Sequence, residues 1–307
     1  MKNYQAGSYW LFSEGLAAVL IKNKWGYIDR QGHIAIAPQY TAACGFSEGL
    51  AAVQVNNKYG FIDHDGKWVI QPKYDMALAF TEGVAACSVD DYYHIIDKSG
   101  KVLAELDDSC TDLENFSCGL AAAEFKVGDD DWRYGAIDKT GKMVIQPKYW
   151  FAYTFEEDLM AVVLNEEDNF GFVDKEGNFA IAPEYEDAEI FSEGLAPVKK
   201  DGRWRFIDHD GHDVVLLDER FDYVNTLTDG RAMVKIGDKS GAIDKAGNLI
   251  IDARFDNMHP FSEGLAYARI GDTHGFINTS GTFEIQKPVT KATLLDKLLK
   301  RDKQIRW

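Results

Sequence analysis

Phe46-Ser47-Glu48-Gly49-Leu50-Ala51-Ala52-Val53 recurs along the whole chain. Near-copies open at Phe12, Phe46, Phe80, Phe116, Phe155, Phe191 and Phe261, and Leu227-Thr228-Asp229-Gly230 fills the one remaining gap. Successive openings lie 34, 34, 36, 39, 36, 36 and 34 residues apart, which makes eight units. A fixed period of this size marks a repeat array, in which each unit buries its faces only against its neighbours. The period decides the fold class before any single residue does.

Working outward from the opening Gly, each unit carries three short apolar runs. In the first unit these are Leu16-Ala17-Ala18-Val19-Leu20-Ile21, then Lys24-Trp25-Gly26-Tyr27-Ile28-Asp29, then His33-Ile34-Ala35-Ile36-Ala37, stopped by Pro38. They are rich in β-branched and aromatic residues and bounded by Gly, Asn, Asp or Pro, as strands are. Between the second and third runs, Asp or Asn stands three residues before a Gly: Asp29 before Gly32, Asp63 before Gly66, and so on to Asn278 before Gly281. This spacing suits a type I turn whose carboxylate accepts backbone N–H groups while Gly takes the left-handed position. The recurring aspartates are therefore turn devices and not catalysts. The stretch from Pro38 to Phe46 reads as a linker that packs one aromatic against each neighbour.

The expected architecture is all-β: eight three-stranded antiparallel meanders stacked as an open β-superhelix over residues 1–289, with a closed β-propeller as the alternative. Propeller blades usually have four strands, and the chain begins and ends within a linker, which leaves no strand to close a ring. Residues 290–307 are set apart as a C-terminal helix and tail. Leu294, Leu295, Leu298 and Leu299 fall on one helical face there, suited to capping the last unit.

Composition narrows the partners. A net charge of −17 argues against nucleic acid and against an anionic membrane surface. No run reaches the length of a membrane span, and Met1-Lys2-Asn3-Tyr4-Gln5 does not open a secretory signal. Cys44, Cys87, Cys110 and Cys118 occupy unlike positions and lack metal spacing, so free thiols in a cytoplasmic protein are expected. Phosphate-loop and nucleophile-elbow motifs are missing, and no cofactor is expected. Asp63-His64-Asp65-Gly66 and Asp208-His209-Asp210-Gly211 mimic a calcium loop, but their ligand and Gly spacing fails the EF-hand pattern.

The runs Lys24-Trp25-Gly26-Tyr27-Ile28-Asp29 and Phe46-Ser47-Glu48-Gly49-Leu50-Ala51-Ala52-Val53 resemble the WG repeat family, named for its Trp-Gly pair, over residues 10–289. Trp precedes Gly only at Trp25; Tyr59, Tyr93, Tyr134 and Phe170 keep an aromatic ring, while Ser240 and His274 do not. The family is widespread in bacteria. The resemblance implies an architecture and no activity.

Residues used in every unit serve the unit's fold, so function is sought among residues used once. His94, where other units have Gly or Arg, and Cys118, where others have Glu, read as tolerated substitutions. Units four and five are longer between their first two runs, with acidic insertions holding Asp129, Asp130, Asp131 and Trp132, and Glu166, Glu167 and Asp168. Insertions in repeat proteins cluster on one face, often the binding face. The expectation is a non-enzymatic scaffold whose partner is a protein or peptide, with a basic one suited to the acidic loops, held by these loops with Trp150 and Trp68. The alternative is a glycan or small molecule stacked on Trp68, Trp132 and Trp150.

Overall fold

The computed structural model describes residues 11–288. It corrects the architecture. The eight units are eight four-stranded antiparallel sheets, arranged as a closed eight-bladed β-propeller, and no helix occurs among the described residues. The expected C-terminal helix lies outside the described residues. In blade 2 the strands are Ala42–Ala43, Ala51–Val55, Lys58–Ile62 and Trp68–Tyr74, paired in sequence order.

The missing strand came from the supposed linker. Ala42 pairs with Gln54 and Ala43 with Val53, Cys44 N–H donates to Ala52 O at 2.9 Å, and Ser47 bridges Leu50. The opening motif is thus the hairpin turn between first and second strands. Glu48 (φ 54°) and Gly49 (φ 87°) are both left-handed, the signature of a two-residue type I′ turn. A strand built from small residues and held by a short, irregular ladder leaves little periodic signal, which is why it reads as a linker.

The ring closes without any exchange of strands. Tyr27 of blade 1 packs on Phe46 of blade 2 at 4.9 Å between ring centroids, Phe61 on Phe80 at 4.7 Å and Phe172 on Phe191 at 5.0 Å. Phe276 of blade 8 packs on Phe12 of blade 1 in the same way, at 4.7 Å. Ser13 Oγ donates to Phe46 O at 2.5 Å, Ser47 Oγ to Phe80 O at 2.7 Å, and across the closure Ser262 Oγ to Phe12 O at 2.6 Å. One buried cluster joins Phe12, Ala17 and Ile28 of blade 1 to Leu265 and Phe276 of blade 8. The closing seam repeats the contacts of the seams between blades 1, 2 and 3, so no spare strand is needed.

These contacts also orient the blades. The opening residues that follow each first strand reach those of the next blade, as Ser47 reaches Phe80, whereas fourth strands such as Trp68–Tyr74 alternate between buried and exposed residues. In radially packed sheets like edges meet only near the axis, so the first strands are innermost and the fourth outermost.

The Gly of the Trp-Gly pair has a steric cause. The fourth strand folds over the third at that point, with register shifts between Tyr59 and Ile62. A Cβ on Gly60 would lie 2.5 Å from Ile70 O and 2.7 Å from Pro72 N. His94 and Arg205 stand at the same position in blades 3 and 6, and there the fourth strands are only Val102–Glu105 and Asp213–Leu216. His94 pairs directly with Glu105, and Arg205 with Leu216. Where the fold-over is missing, so is the need for Gly.

Candidate functional site

The two ends of the propeller differ in what builds them. At one end lie the first-to-second and third-to-fourth strand turns, and their residues recur around the ring. Glu48 accepts from Gly83 N at 3.0 Å in the next blade, and its Oε2 pairs with Lys98 Nζ at 3.0 Å. Glu14 bonds Gly49 N, Glu82 Gly119 N, Glu157 Gly194 N, Glu193 Gly230 N, Asp229 Gly264 N and Glu263 Gly15 N. Only Cys118 breaks the series: Asp158 N–H approaches its Sγ at 3.3 Å, and Lys175 turns to Asp158 instead. Burial alone would raise the Glu48 carboxyl, but hydrogen bonds from Lys98 and Gly83 outweigh it and hold it below the ordinary carboxylate range. This ring of acids is a set of clasps between blades.

The third-to-fourth turns are likewise structural. Asp208 Oδ1 accepts from Asp210 N at 3.0 Å and His212 N at 2.9 Å, as Asp63 Oδ1 does from Asp65 N and Lys67 N. Ligand atoms of Asp208, Asp210 and His212 lie within 4.8 Å of one another, on an exposed loop whose geometry the other blades share. It carries no assignment as a metal centre.

At the other end lie the hairpins between second and third strands, and here residues are used once. The blade 4 hairpin joins Leu120–Lys126 to Trp132–Asp138, and the blade 5 hairpin joins Leu159–Val163 to Phe170–Val173. A bridge connects them. Asp131 pairs with Arg133 at 3.0 Å, the Arg133 guanidinium lies 5.3 Å from the Trp150 ring centre, and Trp150 N–H donates to Val163 O at 2.9 Å. Asn165 N–H and Nδ2 donate to Asp168, which closes the second loop. The side chains of Trp132 and Trp150 stay 39% and 43% exposed, with Val127 beside Trp132 on the same hairpin. Asp129, Asp130 and Asp131 thus lie in a hairpin at the same end of the propeller as the Glu166, Glu167 and Asp168 loop, with Trp132 at the foot of the first and Trp150 joined to it through Arg133. Trp68 lies elsewhere: it packs edge-on to Tyr40 in the seam between blades 1 and 2 and is half-buried.

Trp150 also displaces a structural group. In blades 3, 6, 7 and 8 the residue at its position is an acid that caps its own hairpin. Asp75 accepts from Asp90 N, Glu186 from Gly202 N, Asp222 from Gly237 N and Asp256 from Gly271 N.

Sequence reasoning missed a second set of single-use residues on the innermost strands. Asp112 and Glu114 of blade 4, Phe151 and Tyr153 of blade 5, Asp187 and Glu189 of blade 6, Tyr223 and Asn225 of blade 7, and Asn257 and His259 of blade 8 occupy equivalent places, four and two residues before the opening residue. The same places hold Ala42 and Cys44 in blade 2, and Met76 and Leu78 in blade 3. Tyr223 Oη donates to Glu189 and receives a bond from Asn225 Nδ2 at 2.9 Å. Burial raises the Glu114, Asp187 and Glu189 carboxyls; the neighbouring Asp112 charge adds to it at Glu114, and Asp187 adds to it at Glu189. Burial lowers His259. The rule that single-use residues carry function was sufficient to find them, had the linker been recognised as a strand.

Geometry of this kind defines a β-propeller assembled from tandem repeats. The WG containing repeat model matches residues 8–25, 25–59, 59–93, 134–167, 170–204 and 241–273, more than half of the chain. The chain belongs to the WG-containing repeat family. The unmatched stretches 94–133 and 205–240 begin at His94 and Arg205, where the Gly is replaced. No curated protein sequence matches. Among solved structures, a eukaryotic initiation factor aligns with a TM-score of 0.62 at 11% identity, over 91% of this chain and 86% of that one. The dihydro-heme d1 dehydrogenase NirN in complex with DHE aligns with a TM-score of 0.58 at 11% identity, over 89% and 73%. Hsv2 of Kluyvelomyces marxianus aligns with a TM-score of 0.50 at 9% identity, over 79% and 96%. At such identities the likeness is one of fold alone.

Proposed function

We propose that this propeller is a non-catalytic scaffold that docks a basic polypeptide segment on the hairpin face of blades 4 and 5. The observation that carries the reading is the Arg133–Trp150 bridge. It ties the acidic hairpin of blade 4 to Trp150 of blade 5, and both Trp132 and Trp150 stay exposed there. Exposed aromatic faces and a carboxylate rim suit Lys and Arg side chains, which stack on the rings while their charges meet the acids. The absence of chemistry from the reading has its own support. The recurring aspartates are occupied as turn acceptors, and burial pushes the Cys44 thiol up to about 11 and Cys110 up to about 12, which keeps both protonated at neutral pH. Glycan stacking retains only Trp132 and Trp150, since Trp68 lies in a seam.

The test is titration with Lys/Arg-rich peptides and with acidic controls. The variant D129S/D130S/D131S is expected to lose affinity for the cationic peptides by about tenfold or more, because rim charges there set complementarity. Equal binding of acidic and basic peptides would overturn the reading.

A further inference from the structure

We infer that the seam between blades 4 and 5 is a hinge, at which the ring parts at its turn end while the hairpin end and the outer edge hold. The hinge does not depend on the docking reading, since it lies in contacts between blades and not in what binds them.

Three contacts recur at the turn ends of the seams, and this seam lacks all three. The first is a ring on a ring. Ala136 stands where Tyr27 and Phe61 stand in blades 1 and 2, so Phe155 forms no ring pair among the described residues. The second is a hydroxyl. Ser13, Ser47 and Ser262 each donate to a Phe carbonyl in the next blade, but Ser117 bonds the Glu156 carboxylate and lies 3.7 Å from Cys118 Sγ. The third is the carboxylate clasp. With Cys118 in the place of Glu48, Asp158 N–H meets only a sulfur, a weak acceptor, at 3.3 Å. The seam between blades 7 and 8 also has an alanine, Ala242, at the ring position, but it keeps its clasp, Asp229 on Gly264 N at 2.6 Å.

Two features on the blade 5 side favour parting. Asp158 (φ 68°) holds the left-handed place that Gly holds in the other seven opening turns, and Asp is strained there where Gly is not. Glu156, in the place of Ser47, is half-buried. Burial raises its carboxyl, the Ser117 hydroxyl offsets part of that, and the Glu157 and Glu82 charges add to it. Opening the turn end hydrates Glu156 and relaxes Asp158 together.

What remains marks the pivot. On the outer strand of blade 4, Tyr149 Oη and Lys148 Nζ donate to Gly177 O of blade 5 at 3.0 and 3.1 Å. At the hairpin end the Arg133 guanidinium lies 5.3 Å from the Trp150 ring centre. Local opening follows the contacts that are fewest, and here they are fewest on one side of one seam.

The test is amide hydrogen exchange of the full chain, read on peptides covering the opening turns and corrected for intrinsic rates. The turn at 155–160 is expected to exchange at least about tenfold faster than the matching turns at 46–51 and 191–196. C118E/D158G supplies the carboxylate and the Gly and frees Lys175 from Asp158; it should slow the 155–160 turn about tenfold and raise Tm. R133M removes the guanidinium at the pivot and keeps an apolar stem; it should speed the 155–160 turn further and leave the other two unchanged. Exchange at 155–160 no faster than at the matching turns overturns the hinge, as does a folded C118E/D158G with an unchanged rate there. R133M speeding all three turns alike would report a global loss of stability and equally overturn it.

Discussion

The turn end and the hairpin end of this propeller are made of the same eight units, yet they obey different rules. At the turn end, Glu48 has counterparts in Glu14, Glu82, Glu157, Glu193, Asp229 and Glu263, all reaching a backbone N–H in the next blade. At the hairpin end, Trp150 stands where other blades keep a hairpin-capping acid, and the inner strands replace one another's residues freely. A contact needed at every seam is fixed by the seam. A contact needed at one place is free to differ everywhere else. Exposed carboxylates are abundant at both ends, so charge alone would not have told them apart.

That contrast breaks most visibly at the Gly of the third strand. Gly60→Ala forces a Cβ to within 2.5 Å of Ile70 O, against backbone that has no slack. The expected loss is about 3 kcal/mol in urea unfolding, at the upper end for overpacking. His94→Gly, at the matching place in blade 3, should cost about 1 kcal/mol or less, the price of backbone entropy alone. Equal losses would refute the fold-over as the reason for Gly.

The clasps come next. Glu48→Gln keeps the shape but loses the charge that Lys98 and Gly83 N–H bind, and should cost about 1 kcal/mol at neutral pH. Because the folded-state Glu48 carboxyl lies below its ordinary value, its contribution is present above that value and fades as pH falls through the folded one. The gap between variant and wild type should therefore narrow steadily as pH falls below the ordinary carboxylate range, and a gap that does not narrow in acid would contradict the clasp.

The smallest effect has the opposite sign. Glu114 is raised by burial and has no hydrogen-bond or ion-pair partner among the described residues. A raised carboxyl favours folding below its ordinary value and loses that advantage as pH rises through the folded one. Glu114→Gln should thus show a slightly higher Tm than wild type at neutral pH and the same Tm below pH of about 4. A lower Tm at neutral pH would mean that the carboxylate is satisfied after all.

Much of this was legible in the sequence, and what was not has a physical reason. The period, three strands of every unit and the Asp-to-Gly turn follow from apolar runs and turn chemistry, which act locally. The first strand does not. Ala42-Ala43-Cys44 has little strand character and is held by its place at the axis. Closure was equally hidden, because Phe276 meets Phe12 through the contact that Phe61 makes with Phe80, and only a ring puts the two ends together. The acidic loops of blades 4 and 5 were visible as insertions. Arg133, which ties the first of them to Trp150, was not, since a residue inside a strand gives no sign of which neighbour it reaches across a seam.

The division between clasping and binding residues meets its most direct test in one titration. A Lys/Arg-rich peptide is titrated into D129S/D130S/D131S, prepared beside wild type and matched for its urea midpoint. The account predicts an unchanged midpoint with affinity reduced about tenfold or more. A shifted midpoint, or wild-type affinity at an unchanged one, would contradict it.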